Sequence, residues 1–110
     1  MSELNLPDLE SDSLDLSVAI GLLEIELHLP LCQSLKQKRG ILAKTTSHLR
    51  KHHRIALADV GYQDLWGRSA LAAVTVSGDR TVVERTLEGV IQTLIHDREV
   101  QLVHYAIQIL

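Results

Sequence analysis

The segment VAIGLLEIELHLP, residues 18–30, alternates apolar and polar side chains, and the rest of the chain can be placed around it. Four aliphatic residues share one side of an extended chain: Leu23, Ile25, Leu27 and Leu29. The other side carries three polar residues: Glu24, Glu26 and His28. A period of two with one polar face is typical of a half-buried β-strand. Pro30 ends the strand because proline has no N–H to donate to a sheet.

Downstream of this strand, helical and extended patterns follow one another. Ser34 is a suitable N-cap for a helix over residues 35–51, and Asp79 for a helix over residues 80–96. Short apolar runs predict three more strands, at residues 54–60, 68–76 and 100–110. This order predicts an α+β fold of the ferredoxin-like split βαβ type. We expect a four-stranded antiparallel sheet in the order 4-1-3-2, with two helices on one face.

Charge divides the chain into two parts. Residues 1–17 carry five acidic residues and no basic residue, and we interpret them as an acidic, flexible N-terminal extension. Residues 18–110 form the predicted domain and contain 11 basic and nine acidic residues. The net charge of −3 for the whole chain therefore hides a mildly basic domain.

Composition excludes several classes of protein. A single cysteine, Cys32, allows no internal disulfide and favours a reducing, cytoplasmic location. No apolar run reaches the length of a membrane span, so no membrane association is expected. No nucleophile is paired with a base, so we expect no enzymatic activity, no catalytic residue, no cofactor and no metal.

The first predicted helix carries most of the positive charge. Residues 36–54 hold seven basic residues and no acidic one. Basic residues at a helix N-terminus oppose the helix dipole, which suggests that they have another use. One interpretation is binding to an RNA backbone, and the other is a solvated helix face with salt bridges. The candidate nucleic-acid contacts are Lys36, Lys38, Arg39, Lys44, Arg50 and Lys51.

The segment GYQDLWGR, residues 61–68, contains two of the three aromatic residues of the chain. It joins two predicted strands, so we expect a hairpin loop in which Gly61 and Gly67 adopt conformations that other residues resist. Its tryptophan either packs on the domain or contacts a partner, since tryptophan is enriched at interaction hot spots. The candidate partner contacts are Gln63, Asp64, Leu65 and Trp66.

A third candidate site lies on the sheet face that points away from the helices. The last strand should run beside the first and bring His104 near Glu24 or Glu26. These side chains could bind a ligand or an ion if a second copy covered the face, or they could simply form a wet polar surface. The residues of this alternative, homo-oligomeric interpretation are Glu24, Glu26, His28 and His104.

Four segments together resemble the YlxP-like family of small bacterial proteins of unknown function. They are GLLEIELHLP, SLKQKR, YQDLWGRSAL and SGDR, within residues 18–110. The resemblance implies a ferredoxin-like fold and a role near the bacterial ribosome, with ribosomal RNA or the small subunit as partner. It implies no activity, cofactor or catalytic residue. A homodimer is the other partner expected.

Overall fold

The computed structural model describes residues 16–110, and most of the acidic extension, residues 1–15, lies outside this range. The elements are β1 (Ala19–His28), α1 (Leu35–His52), β2 (Ala56–Gly61), β3 (Arg68–Ser77), α2 (Arg80–Ile95) and β4 (Gln101–Ile109). The strands form one antiparallel sheet in the order β2-β3-β1-β4, which is the predicted order read from the other edge. The predicted α+β fold is confirmed.

The core forms between the helices and one face of the sheet. The aliphatic side of β1 is buried as predicted, with Leu23 and Leu27 fully inaccessible to solvent. It meets the apolar stripe of α2, of which Val83, Leu87 and Val90 are also fully buried. The predicted half-buried character of β1 is therefore confirmed.

Gly21 lets α2 approach the sheet closely. A Cβ atom at this position would overlap Val83 and lie 2.8 Å from Cδ1 of Leu87. The absence of a side chain here thus brings α2 against β1, which is the central part of the core.

The helix α1 begins where the sequence predicts. The hydroxyl of Ser34 accepts a hydrogen bond from the N–H of Gln37 at 3.0 Å, and Gln37 Oε1 accepts one from the N–H of Gln33 at 2.7 Å. These contacts satisfy backbone donors that the first helical turn leaves free. They also fix the position at which the basic residues of α1 start.

The face of the sheet that points away from the helices has an apolar end and a polar end. At the apolar end Ile20 lies opposite Val76 and Leu22 opposite Val74. Val76 is 65% exposed. At the polar end Glu26 lies opposite Ala70 in β3 and opposite His104 in β4. The sequence prediction described only this polar end.

Candidate functional site

The six candidate basic residues of α1 have different surroundings. Lys44 pairs with Glu99, with 2.6 Å between Nζ and Oε1, and this hydrogen bond raises the pKa of Lys44. Arg50 donates to the carbonyl of Leu57 in β2 at 3.1 Å. Within residues 16–110, three of the six are exposed and form neither an ion pair nor a side-chain hydrogen bond: Lys36, Arg39 and Lys51.

Lys38 has a different role from the one predicted. Its residue is only 4% exposed, and its Nζ donates to the carbonyls of Tyr62 at 2.5 Å and of Leu65 at 2.6 Å. An ammonium group that is buried and already donates to two carbonyls is not available to a phosphate. We therefore remove Lys38 from the nucleic-acid contacts and describe it as the tether between α1 and the β2–β3 loop.

The β2–β3 loop is built around an unusual backbone conformation. Tyr62 has φ 59°, in the left-handed region, whereas no glycine in residues 16–110 has a positive φ. The expectation that Gly61 and Gly67 would supply this conformation was wrong. A non-glycine residue in this region costs free energy and persists only where its surroundings hold it.

Several contacts hold Tyr62 in place. The guanidinium of Arg68 lies 4.4 Å from the centre of the Tyr62 ring, a cation–π distance. The Tyr62 carbonyl accepts from Lys38 and from the N–H of Leu65. At the other end of the loop, the carbonyl of Gly67 accepts from the N–H of Leu29 at 2.8 Å. The loop is thus fixed at both ends and in its middle.

The tether brings the two sequence motifs onto one surface. Trp66 is 52% exposed and follows Leu65, whose carbonyl Lys38 holds. Arg39 lines a depression of about 330 Å³ together with Gln63 and Asp64, and Asp59 lines it from β2. We call the following residues the loop–helix surface: Lys36, Arg39, Gln63, Asp64, Leu65 and Trp66. In this surface α1 contributes the cationic donors, and the loop tethered to it contributes the polar acceptors and the indole.

The four residues of the third candidate site also share a surface. Glu24 and Glu26, with His104 and Tyr62, line an open depression of about 340 Å³. The carboxylate of Glu26 accepts from the guanidinium of Arg68, which raises the pKa of Arg68. Arg68 was not among the predicted residues, although it directly opposes His28 in the register of β1 and β3.

This polar end lacks the arrangement of a metal site. His28 Nδ1 lies 3.1 Å from Oε1 of Gln101, so both His28 and Glu26 are engaged by neighbours. Within residues 16–110, no group of three or more histidine, cysteine, aspartate or glutamate side chains is suitably placed to hold a metal ion. The depression offers a ligand the carboxylate of Glu24, which has no ion pair among residues 16–110, and the imidazole of His104.

Histidines at the end of α1 have structural contacts. His53 is half-buried beside α2, and its Nε2 lies 2.8 Å from the hydroxyl of Thr93. Burial, followed by the nearby charges of His52 and His48, lowers the pKa of His53. Cys32 is buried, as expected of a small apolar residue, and its thiol donates to the carbonyl of Ser34.

Comparison with known proteins gives the chain a family. Residues 20–107 match the model of a family described as "Protein of unknown function (DUF503)". The chain belongs to this family. The "Uncharacterized protein YlxP" of Bacillus subtilis (strain 168) is 31% identical over 72 residues, which cover 66% of this chain and 78% of that protein. The YlxP-like resemblance seen in the sequence is therefore confirmed.

A solved structure is also similar, at low level. It is a mutant of SnoaB, a cofactor-independent oxygenase from Streptomyces nogalater, with a TM-score of 0.43 and 12% identity. The match covers 86% of this chain and 91% of that one. A likeness this distant does not inform function. In residues 16–110 of this chain, neither helix is long and apolar enough to cross a membrane.

Proposed function

We propose that this member of the family is a non-enzymatic RNA-binding module that associates with the bacterial ribosome through its loop–helix surface. The observation that carries the proposal is the buried ammonium of Lys38. It holds the loop carbonyls of Tyr62 and Leu65 to α1, and the exposed Trp66 follows directly after Leu65.

The chemistry of this surface suits unpaired RNA. Lys36 and Arg39 can neutralise phosphates, because each is exposed and without an ion pair among residues 16–110. An exposed indole such as Trp66 can stack on an unpaired base, as aromatic side chains do in single-strand recognition. Gln63 and Asp64 supply polar groups that can hydrogen-bond base edges. In a regular RNA duplex the bases are paired and stacked on one another, so they would not be accessible to these side chains.

The number of free cations limits the expected affinity. Lys51 lies four turns further along α1 and adds a third possible phosphate contact. For three phosphates on a single strand, we expect affinity to fall about 20-fold between 50 and 200 mM salt, from a log–log slope near −2. The interaction should therefore be moderate and strongly salt-dependent.

The ribosome is proposed as the source of this RNA because the YlxP-like resemblance implies a role near it. The alternative of a ligand or ion site at the polar end of the open sheet face has less support. Two of its four residues, Glu26 and His28, are already engaged by Arg68 and Gln101.

Co-sedimentation of the full chain with purified small and large ribosomal subunits tests the proposal. We expect enrichment on one subunit at low salt and its loss at moderate salt. The double variant Lys36→Glu/Arg39→Glu should abolish enrichment. The control variant Arg85→Glu/Arg98→Glu makes the same change in net charge at exposed positions outside the loop–helix surface and should leave it unchanged.

Two results would overturn the ribosomal proposal. One is no enrichment on either subunit at any salt concentration. The other is equal loss of enrichment in both double variants, since only net charge would then matter.

A further inference from the structure

One edge of the sheet, formed by β4, has no partner strand in the part of the chain that the structure describes. No strand among residues 16–110 pairs with the outer side of β4. Leu110 and Ile20 exchange both backbone hydrogen bonds, so their N–H and C=O groups point at each other. These groups alternate in direction along an antiparallel strand. The backbone groups of Ile109, Ile107 and Tyr105 therefore point away from β1, towards the open edge.

The same residues carry exposed apolar side chains. Tyr105 and Ile107 lie opposite the buried Ile25 and Leu23, so they are on the helix side of the sheet. They are nevertheless 45% and 41% exposed, so the helix layer covers this part of β4 only incompletely. Ile95, at the end of α2, is also exposed and lines a depression with Val103. An apolar strip thus runs beside a row of unpaired backbone groups.

The opposite edge of the sheet carries more protection against pairing than β4 does. The edge strand β2 has only six residues and a register shift between Asp59 and Gly61. Asp59 adds a charge to this edge, and Arg50 covers the carbonyl of Leu57. Short length, bulges and charges are the usual means by which edge strands avoid pairing with another chain. In contrast, β4 has nine residues, its register shift lies near its start, between Leu102 and His104, and residues 101–110 contain no aspartate, glutamate, lysine or arginine.

We propose that β4 pairs antiparallel with β4 of a second copy of this chain, so that two sheets join into one of eight strands. This inference is independent of the proposed RNA-binding function. An antiparallel pair of identical strands is self-complementary about a two-fold axis. Pairing that joins the outward-pointing backbone groups sets the apolar helix-side residues of one copy beside those of the other. Because β4 carries no formal charge, no like charges oppose each other across the axis.

A second copy fits this edge better than an unrelated strand does. The strip needs a partner strand with apolar residues at alternate positions, and β4 itself has that pattern at Tyr105, Ile107 and Ile109. The strand is about 30 Å long, so pairing along its length supplies several backbone hydrogen bonds as well as apolar contact. The rim of the pair would be completed by Ile95 and Val103 of each copy.

Sedimentation equilibrium of the full chain and two matched variants tests the proposal. Ile107→Lys places a charge in the apolar strip of β4. Val76→Lys places the same charge on the open sheet face, at a residue that is also β-branched and exposed. We expect the wild type and Val76→Lys to dimerise and Ile107→Lys to remain monomeric. If Ile107→Lys fails to fold by circular dichroism, Tyr105→Lys makes the same change at a slightly more exposed position.

Amide hydrogen exchange locates the contact independently of any variant. The amides of Tyr105, Ile107 and Ile109 should exchange at least about tenfold more slowly at high than at low protein concentration. Those of Ala106 and Gln108, which pair with β1, should be protected at both concentrations.

Three results would overturn the inference. The first is a strictly monomeric wild type at high concentration. The second is a dimer that Val76→Lys disrupts and Ile107→Lys does not, which would move the contact to the open face. The third is protection of the edge amides that does not depend on concentration, which would mean that the chain covers its own edge.

Discussion

Lys38 is the residue on which the loop–helix surface depends. Its Nζ satisfies two loop carbonyls, one of which belongs to Tyr62, whose backbone lies in the left-handed region. A buried cation that satisfies carbonyls stabilises a conformation that the loop sequence alone does not favour. The attachment of the loop that carries Trp66 to α1 therefore depends on a buried residue.

Replacing this lysine tests the tether. Lys38→Met keeps the apolar stem and removes a donor from both carbonyls, of which only that of Tyr62 keeps another donor, the N–H of Leu65. We expect a loss of about 1–3 kcal/mol in the free energy of unfolding. Urea unfolding measures the loss, and Trp66 emission in the folded state should change because the loop is released. Lys36→Met, at an exposed position two residues earlier in α1, is the control. Its free energy of unfolding should stay within about 0.5 kcal/mol of the wild type. Equal stability of the two variants would show that the tether does not hold the loop.

His53 gives the fold a pH dependence whose sign follows from its environment. Burial beside α2 lowers the pKa of His53 below its value in the unfolded chain, so the unfolded state takes up a proton first as the pH falls. Stability from this residue is complete above about pH 7.5 and decreases as the pH falls through about 6.5. Urea unfolding of the wild type and of His53→Gln, compared at each pH, separates the contribution of His53 from that of the other histidines. The difference in unfolding free energy should shrink on acidification, and a difference that stays constant or grows would contradict the assignment.

The burial of Lys38 also shows how far the sequence predicts single residues. Lys38, Leu42, Thr45 and Leu49 are the buried residues of α1, and their spacing is that of one helix stripe. That spacing was visible in the sequence, but a lysine in such a stripe is ordinarily read as solvated. Its carbonyl partners lie 24 and 27 residues further along the chain, so no local pattern reveals them.

At the scale of the elements, close packing of α2 on β1 determines the core. Gly21→Ala would place a methyl group against Val83 and Leu87, and overpacking of this kind costs about 1–3 kcal/mol. Gly40→Ala is the matched control, because a Cβ at Gly40 of α1 meets nothing within 4 Å. Alanine there should stabilise the protein by about 0.5–1 kcal/mol, since glycine is unfavourable inside a helix. Thermal or urea unfolding should show that Gly21→Ala lowers the stability and that Gly40→Ala raises it. Destabilisation of similar size in both variants would contradict this packing.

The elements themselves were largely predictable from the sequence, whereas their exposure was not. The alternation in β1 predicted which side of that strand is buried, and the structure confirms it. The alternation in β4 also indicated an apolar side, but the sequence does not show that the helices stop short of that edge. Tyr105 and Ile107, on that side, remain 45% and 41% exposed.

At the scale of the whole molecule, the proposed RNA surface and the proposed pairing edge use different strands and helices. The loop–helix surface is formed by α1 and the loop that leaves β2, whereas β4 is at the opposite edge of the sheet. Pairing through β4 would therefore leave both loop–helix surfaces free. A dimer should bind RNA at two sites, and Ile107→Lys should retain the affinity of each single site.

The most direct test of the central claim uses the emission of Trp66, the only tryptophan in the chain. A single-stranded RNA oligonucleotide is titrated into the full chain at several salt concentrations. We expect saturable quenching whose affinity falls with salt at a log–log slope of about −2, is lost in Lys36→Glu/Arg39→Glu and is kept in Arg85→Glu/Arg98→Glu. An unchanged emission at low salt, or an affinity that the Lys36 and Arg39 changes leave intact, would contradict RNA binding by the loop–helix surface.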